Sequence, residues 1–308
     1  MQEYLRLENL RKAYDEKVAV DNLSLSVPKG SIYGMIGPNG AGKTTTIRMI
    51  MDIIGPDSGT VLIDGKPVSG DFRNRVGYLP EERGLYKKMT LEEVILFFAE
   101  MKGASRKNIA RIMDEWLKKM SLLEYKNRKV EELSKGMQQK LQFITTMIHQ
   151  PDLIILDELF SGLDPLNIEL IKGILLDEKR RGTTILFSTH VMEQAEKLCD
   201  YICLINSGHK VLDGSLSDIK SKFGSNSLQV EYEGDGASAK DIPGVADVIQ
   251  FNNYVELKLS DGADAQRVLK SLAEQVRIKR FEIMEPSLYD IFIEVTRVDP
   301  SDLDMGRA

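Results

Sequence analysis

The sequence predicts an α/β fold. It consists of a mixed, mostly parallel sheet with helices, an antiparallel β subdomain and a helical subdomain, followed by a small α+β domain. Three observations carry this expectation. A glycine-rich octapeptide, Gly37 to Thr44, lies between the apolar run Ser31–Ile36 and the helix-like run Thr45–Met51. Two further segments of buried-strand character, Leu153–Leu156 and Thr183–Ser188, are joined by a helical segment, as in a right-handed βαβ crossover. Between the octapeptide and those segments, apolar residues recur at helical rather than strand spacing.

Taken in order, the chain opens with two alternating segments, Tyr4–Glu8 and Leu23–Val27, which read as strands of a half-exposed antiparallel sheet. Gly59–Gly65 reads as a strand ending in an Asp-Gly turn. Thr90-Leu91-Glu92-Glu93 is a capping box that starts a helix. Ile109, Ile112, Met113, Trp116, Leu117 and Met120 then keep helical spacing, so residues of about 88–150 form a helical subdomain. A helix at 167–180, another at 191–198 and a hairpin at 201–212 complete the first domain, residues 1–222. A linker at Phe223–Ser227 leads to a ββαβα domain at 226–297 and a polar tail at 298–308.

Composition narrows the function. At 308 residues there is room for two cores. The net charge of −6 argues against a general nucleic-acid surface. No apolar run approaches the roughly 18–20 residues of a membrane helix. The N-terminus shows neither a basic nor an apolar leader segment, so the expected location is cytoplasmic. Cys199 and Cys203 have no histidine at ligand spacing and read as buried thiols.

The octapeptide, Gly37-Pro38-Asn39-Gly40-Ala41-Gly42-Lys43-Thr44, fits G-x-x-x-x-G-K-[ST]. A strand, a glycine loop and a helix N-terminus aim several backbone N–H groups at one anion. Lys43 can then reach the β/γ-phosphates and the Thr44 hydroxyl can bind Mg²⁺, so the chain is expected to bind a nucleoside triphosphate. Asp157 and Glu158 end the apolar strand at 153–156, where one carboxylate can organise Mg²⁺. The other, on the opposite face of the strand period, can take a proton from an attacking water. Ser134 is an N-cap candidate and Gly136 permits close backbone approach to an anion.

Together these motifs resemble the ATP-binding subunit of an ABC transporter over about residues 3–220. Tyr14 resembles the aromatic that stacks on adenine, and Gly37–Thr45 the Walker A loop. Leu133–Met137 resembles the signature segment, Leu153–Glu158 Walker B, Ser161–Asp164 the D-loop, and His190 the switch histidine. The resemblance implies that Lys43 and the Gly40–Thr45 backbone hold the phosphates of ATP. It also implies that Thr44 and Asp157 hold Mg²⁺, that Glu158 is the general base, and that His190 contacts the γ-phosphate. Ser134 and Gly136 would contact the γ-phosphate held by a second subunit, a further copy or a paralogue, in a head-to-tail dimer. Two departures stand out. The signature reads Leu-Ser-Lys-Gly-Met, with Lys135 and Met137 at altered positions, and Glu81 stands where the family usually has a metal-binding glutamine.

Tyr78–Tyr86, the altered signature and a C-terminal α+β domain resemble ATPases of bacterial ABC-2-type exporters, including sodium-efflux and antibiotic-export systems. That implies a separate membrane permease, with this chain peripheral on the inner face of the membrane, and no nucleic-acid partner. Relatives acting in translation or repair carry tandem units or a long coiled coil, which are absent here, and a binding-only regulator needs neither Glu158 nor His190. His149 and His209 have no motif partner, and residues 225–297 carry no catalytic constellation.

Overall fold

Alternation at the N-terminus produces β1 (Glu3–Tyr14) and β2 (Lys17–Pro28), an antiparallel pair joined across Tyr14 and Lys17. A computed structural model of the chain describes residues 2–68, 70–82, 84–160, 163–223, 227–233, 239–251, 254–260 and 262–297. The chain continues through β3 (Ile32–Ile36), α1 (Lys43–Ile50), β4 (Ser58–Ile63), the short β5 (Lys66–Pro67) and β6 (Val76–Leu79). The helical insertion is α2 (Leu91–Met101), α3 (Arg106–Lys119) and α4 (Lys135–Met147). Then follow β7 (Leu153–Asp157), α5 (Pro165–Arg180), β8 (Thr184–Thr189), α6 (Met192–Leu198), β9 (Tyr201–Asn206) and β10 (His209–Ser215).

Two sheets result. The antiparallel one runs β2-β1-β4-β5, and the mixed one runs β10-β9-β3-β8-β7-β6. Within the second sheet, β9, β3, β8, β7 and β6 are parallel neighbours and only β10 runs against its neighbour. Every residue of β3, β7 and β8 is buried. This is why these segments read as continuous apolar runs rather than alternating ones. A core that includes Leu5, Val27, Met35, Ile47, Ile155 and Leu186 fills the space between the two sheets and α1.

The helical insertion starts where its capping box predicts. The Thr90 hydroxyl accepts from Glu93 N–H at 3.3 Å, and the Glu93 carboxylate accepts from Thr90 N–H at 2.8 Å. Thr90→Ala should cost about 1 kcal/mol of stability, read as a lower urea midpoint with unchanged slope. At the other end of α2, Lys102 Nζ donates to Arg73 O at 2.6 Å and Val76 O at 3.0 Å. That bond fastens the insertion to the start of β6.

The chain divides into two units, Met1–Ser215 and Leu216–Ala308. The second contains α7 (Leu216–Lys222), β11 (Ser227–Glu233), β12 (Val245–Gln250), β13 (Val255–Leu259), α8 (Ala265–Ala273), β14 (Arg277–Met284) and α9 (Leu288–Arg297). Its antiparallel sheet runs β12-β13-β11-β14, and Leu228, Val230, Leu257, Val268 and Leu272 form its core. The sequence pattern yields ββαβα here and misses β12. That edge strand buries none of its residues fully, so it shows no clean alternation to read. The division after Ser215 also places α7 in the second unit, a few residues before the linker expected at 223–227, of which 224–226 lie outside the described residues.

Candidate functional site

Strand register assembles the site. In the parallel sheet Ile36 pairs with Thr189, Asp157 with Ser188, and Leu79 with Leu156. The segments that follow β3, β6, β7 and β8 therefore leave the sheet along one edge, at the carboxyl ends of adjacent strands, where open α/β sheets hold ligands. The phosphate loop, Glu81, Asp157-Glu158 and His190 all follow from this one alignment.

The phosphate loop needs its glycines for different reasons. Gly42 has φ +105, and a Cβ there would lie 2.4 Å from the Ala19 carbonyl oxygen. Gly37 has no room either, since its Cβ would lie 2.1 Å from the Ile205 carbonyl oxygen. Helix α1 begins at Gly42 with no side-chain cap, which leaves its first-turn N–H groups available to an anion. Lys43 is 5% exposed, and its ammonium donates to Gly37 O at 2.7 Å and Pro38 O at 3.1 Å, with Glu158 Oε1 at 3.5 Å.

A cavity of about 350 Å³ opens over the loop, the size of a small-ligand site. Asn39, Gly40, Gly42, Lys43, Thr44, Thr45, Tyr14, Glu81 and Glu158 line it, so most of the residues singled out in the sequence meet in one place. Gly37, Pro38 and Ala41 belong to the same loop without lining the cavity. Lys17 and Ala19 complete the wall, and no motif marks them; the hairpin turn that pairs Lys17 with Tyr14 is the signal that brings them there. Tyr14 is 45% exposed at that hairpin end rather than packed in the core, as an aromatic between two strands would ordinarily be. Lys12 Nζ lies 5.9 Å from its ring centroid.

Asp157 and Glu158 are separated by a backbone change, not by strand alternation as the sequence suggests. Strand β7 stops at Asp157, and Glu158 adopts φ +51, a left-handed conformation that costs a glutamate on the order of 1–3 kcal/mol. Asp157 does not line the cavity; it is 1% exposed, and its Oδ2 has no hydrogen-bond partner. Glu158 lines the cavity itself, and its Oε2 lies 2.9 Å from His190 Nδ1. A carboxylate only accepts, so Nδ1 carries the hydrogen and the ring is held in one orientation. Nearby, burial first and the charge of Asp157 second push the Tyr78 hydroxyl up to about 12, so it stays protonated.

Ser134 and Gly136 are not brought to this cavity. Ser134 caps α4, its hydroxyl accepting from Met137 N–H at 3.3 Å, and Lys135 beside it is exposed. Open space surrounds the position of a Gly136 Cβ. Asp164 caps α5 by accepting from Asn167 N–H at 3.0 Å, while Ser161 and Gly162 lie outside the described residues. Cys199 and Cys203 are buried free thiols. His149, near Lys102, is largely buried, and desolvation lowers its pKa to about 4, which fits a neutral structural residue.

Residues 20–161 match the ABC transporter family and residues 214–296 the C-terminal domain of DrrA1-3-like ATP-binding proteins. The uncharacterized ABC transporter ATP-binding protein YhaQ of Bacillus subtilis (strain 168) is 40% identical over 290 residues, covering 94% of this chain and 97% of that protein. The chain belongs to the ABC transporter ATP-binding family. This ABC ATPase is also 38% identical over 237 residues to Nod factor export ATP-binding protein I of Burkholderia orbicola (strain AU 1054), covering 76% of this chain and 78% of that one. Among solved structures, an ATP-binding subunit of an ABC transporter superposes with a TM-score of 0.67 at 33% identity, covering 72% of this chain and 93% of that one. Among the described residues no helix is long and apolar enough to cross a membrane.

Proposed function

We propose that this ABC ATPase hydrolyses Mg-ATP between two head-to-tail subunits, a second copy or a paralogue, and so drives export through a separate membrane permease. The chain itself would sit peripherally on the cytoplasmic face. The observation that carries the reading is the division of parts. Lys43, Thr44, Glu158 and Tyr14 surround one cavity, whereas Ser134 and Gly136 face outward from another part of the same unit. A helix N-terminus that does not line the cavity over its own phosphate loop suits an anion delivered by a partner. The export direction is supported by the B. orbicola relative, which is named for Nod factor export.

In this reading Tyr14 stacks on the adenine, and Lys43 with the backbone N–H groups of 40–45 binds the phosphates. The oxygen donors fit Mg²⁺: the buried Asp157 Oδ2 lacks a partner, and the Thr44 hydroxyl and Glu81 carboxylate line the cavity. When bound there, Mg²⁺ offsets the charge of the phosphate oxygens. Glu158 holds a water in line with the γ-phosphorus. As the water oxygen bonds to phosphorus and the bond to the ADP oxygen breaks, its proton passes to the carboxylate. His190 fixes the orientation of that carboxylate through its Nδ1 contact.

Gly136→Ala tests the shared site. The substitution fills open space inside a helix, so thermal stability should hold or rise by about 0.5–1 kcal/mol. ATP turnover should nevertheless fall at least tenfold, because the methyl group blocks the approach of the partner's γ-phosphate. A stable variant with full turnover would remove Gly136 from the site and the head-to-tail dimer with it.

A further inference from the structure

We infer that Ser188 is the positioning residue that aims the Asp157–Glu158 carboxylate pair. This deepens the Mg-ATP reading of the same site and rests on it.

Ser188 lies in β8, two residues before His190 and fully buried. Its hydroxyl donates to Asp157 Oδ1. Ser188 Oγ in turn accepts from Glu158 N–H at 3.2 Å, and the Ser188 carbonyl takes a share of that N–H at 3.3 Å. A buried strand serine ordinarily satisfies its hydroxyl on nearby backbone. Here its donor goes to the Asp157 carboxylate at the end of the neighbouring strand and its acceptor to the backbone N–H of Glu158 just beyond it.

Two consequences follow from the geometry. Asp157 is 1% exposed and carries no ion pair to a basic side chain among the described residues, so its orientation depends on the hydroxyl that holds Oδ1. With Oδ1 engaged, Oδ2 is left as the buried, partnerless oxygen, which is the lobe a metal ion can use. The bond to Glu158 N–H acts at the left-handed residue, where β7 ends and the backbone turns out of strand conformation. One hydroxyl therefore sets the metal-facing lobe of the first carboxylate and pins the turn that presents the second.

The test compares Ser188→Ala and Ser188→Thr in the full-length chain, after thermal unfolding has confirmed that both fold. The readouts are ATP binding in EDTA and Mn²⁺ affinity of the ATP complex by electron paramagnetic resonance. Ser188→Ala should leave ATP binding in EDTA within about twofold of the parent and weaken Mn²⁺ about tenfold, the low end for loss of a ligand's supporting hydrogen bond. Ser188→Thr keeps the hydroxyl and should recover most of that affinity. Unchanged Mn²⁺ affinity in Ser188→Ala would overturn the inference, as would a Ser188→Thr variant as weak as Ser188→Ala. Asp157→Ala, run in parallel, separates the two layers. If it too leaves Mn²⁺ affinity unchanged, the assignment of Asp157 to the metal has failed, not the role of Ser188 alone.

Discussion

Glu158→Gln is expected to lower ATP turnover by about 10²–10⁴-fold while leaving ATP binding intact. Glutamine is isosteric with glutamate and can adopt the φ +51 backbone at similar cost, so neither the turn after β7 nor the cavity wall need change. What disappears is the proton acceptor. The amide also removes a negative charge 3.5 Å from the Lys43 ammonium, which retains the Gly37 and Pro38 carbonyls as partners. Lys43 then faces the phosphates without a competing anion, so ATP affinity should hold or improve. Phosphate release measures the first effect. Retention of labelled ATP through gel filtration measures the second, and it should coincide with a shift to the dimer. Turnover within tenfold of the parent would move the general base to another group.

The second large effect is structural. Gly42→Ala combines a positive φ, which costs an L-residue on the order of 1–2 kcal/mol, with a Cβ 2.4 Å from the Ala19 carbonyl oxygen and 3.3 Å from Val20 Cγ2. The obstacle is the backbone of β2, not the end of a flexible side chain, so the strand itself must shift. The expected loss is about 3 kcal/mol or more. Gly40→Ala is the internal comparison: its φ is +80, but open space surrounds the added methyl, so the cost stays near 1–2 kcal/mol. Urea unfolding of the two variants reads the difference directly. Equal midpoints would mean that Gly42 serves conformation alone and that contact with β2 contributes nothing.

Legibility in the sequence followed physical principle. The buried parallel strands were readable because strands covered on both faces form near-continuous apolar runs, as Ile32–Ile36 and Leu153–Leu156 do. The capping box at Thr90 was readable because both hydrogen bonds are local. Edge strand β12 was not, since Val245–Gln250 touches its own core only partly. The turn at Glu158 was also hidden, because nothing in a glutamate announces a left-handed backbone. Lys17 and Ala19 reach the cavity through hairpin geometry, and Ser188 reaches the acidic pair through strand register. The first is a local hairpin that no phosphate-binding motif marks, and the second is a pairing between distant segments that a local motif does not encode.

The alignment of four strand ends has a consequence for how this enzyme wears out. Asp157, Glu158 and Ser188 are tied to one another by bonds that cross from β7 to β8, and the phosphate loop hangs from the next strand over. Asp157, Glu158 and Ser188 cannot loosen without disturbing the ends of β7 and β8, because these bonds join the two strands. Heat or denaturant should find no early, local failure of the chemistry, and inactivation and melting of the first unit should arrive as one event.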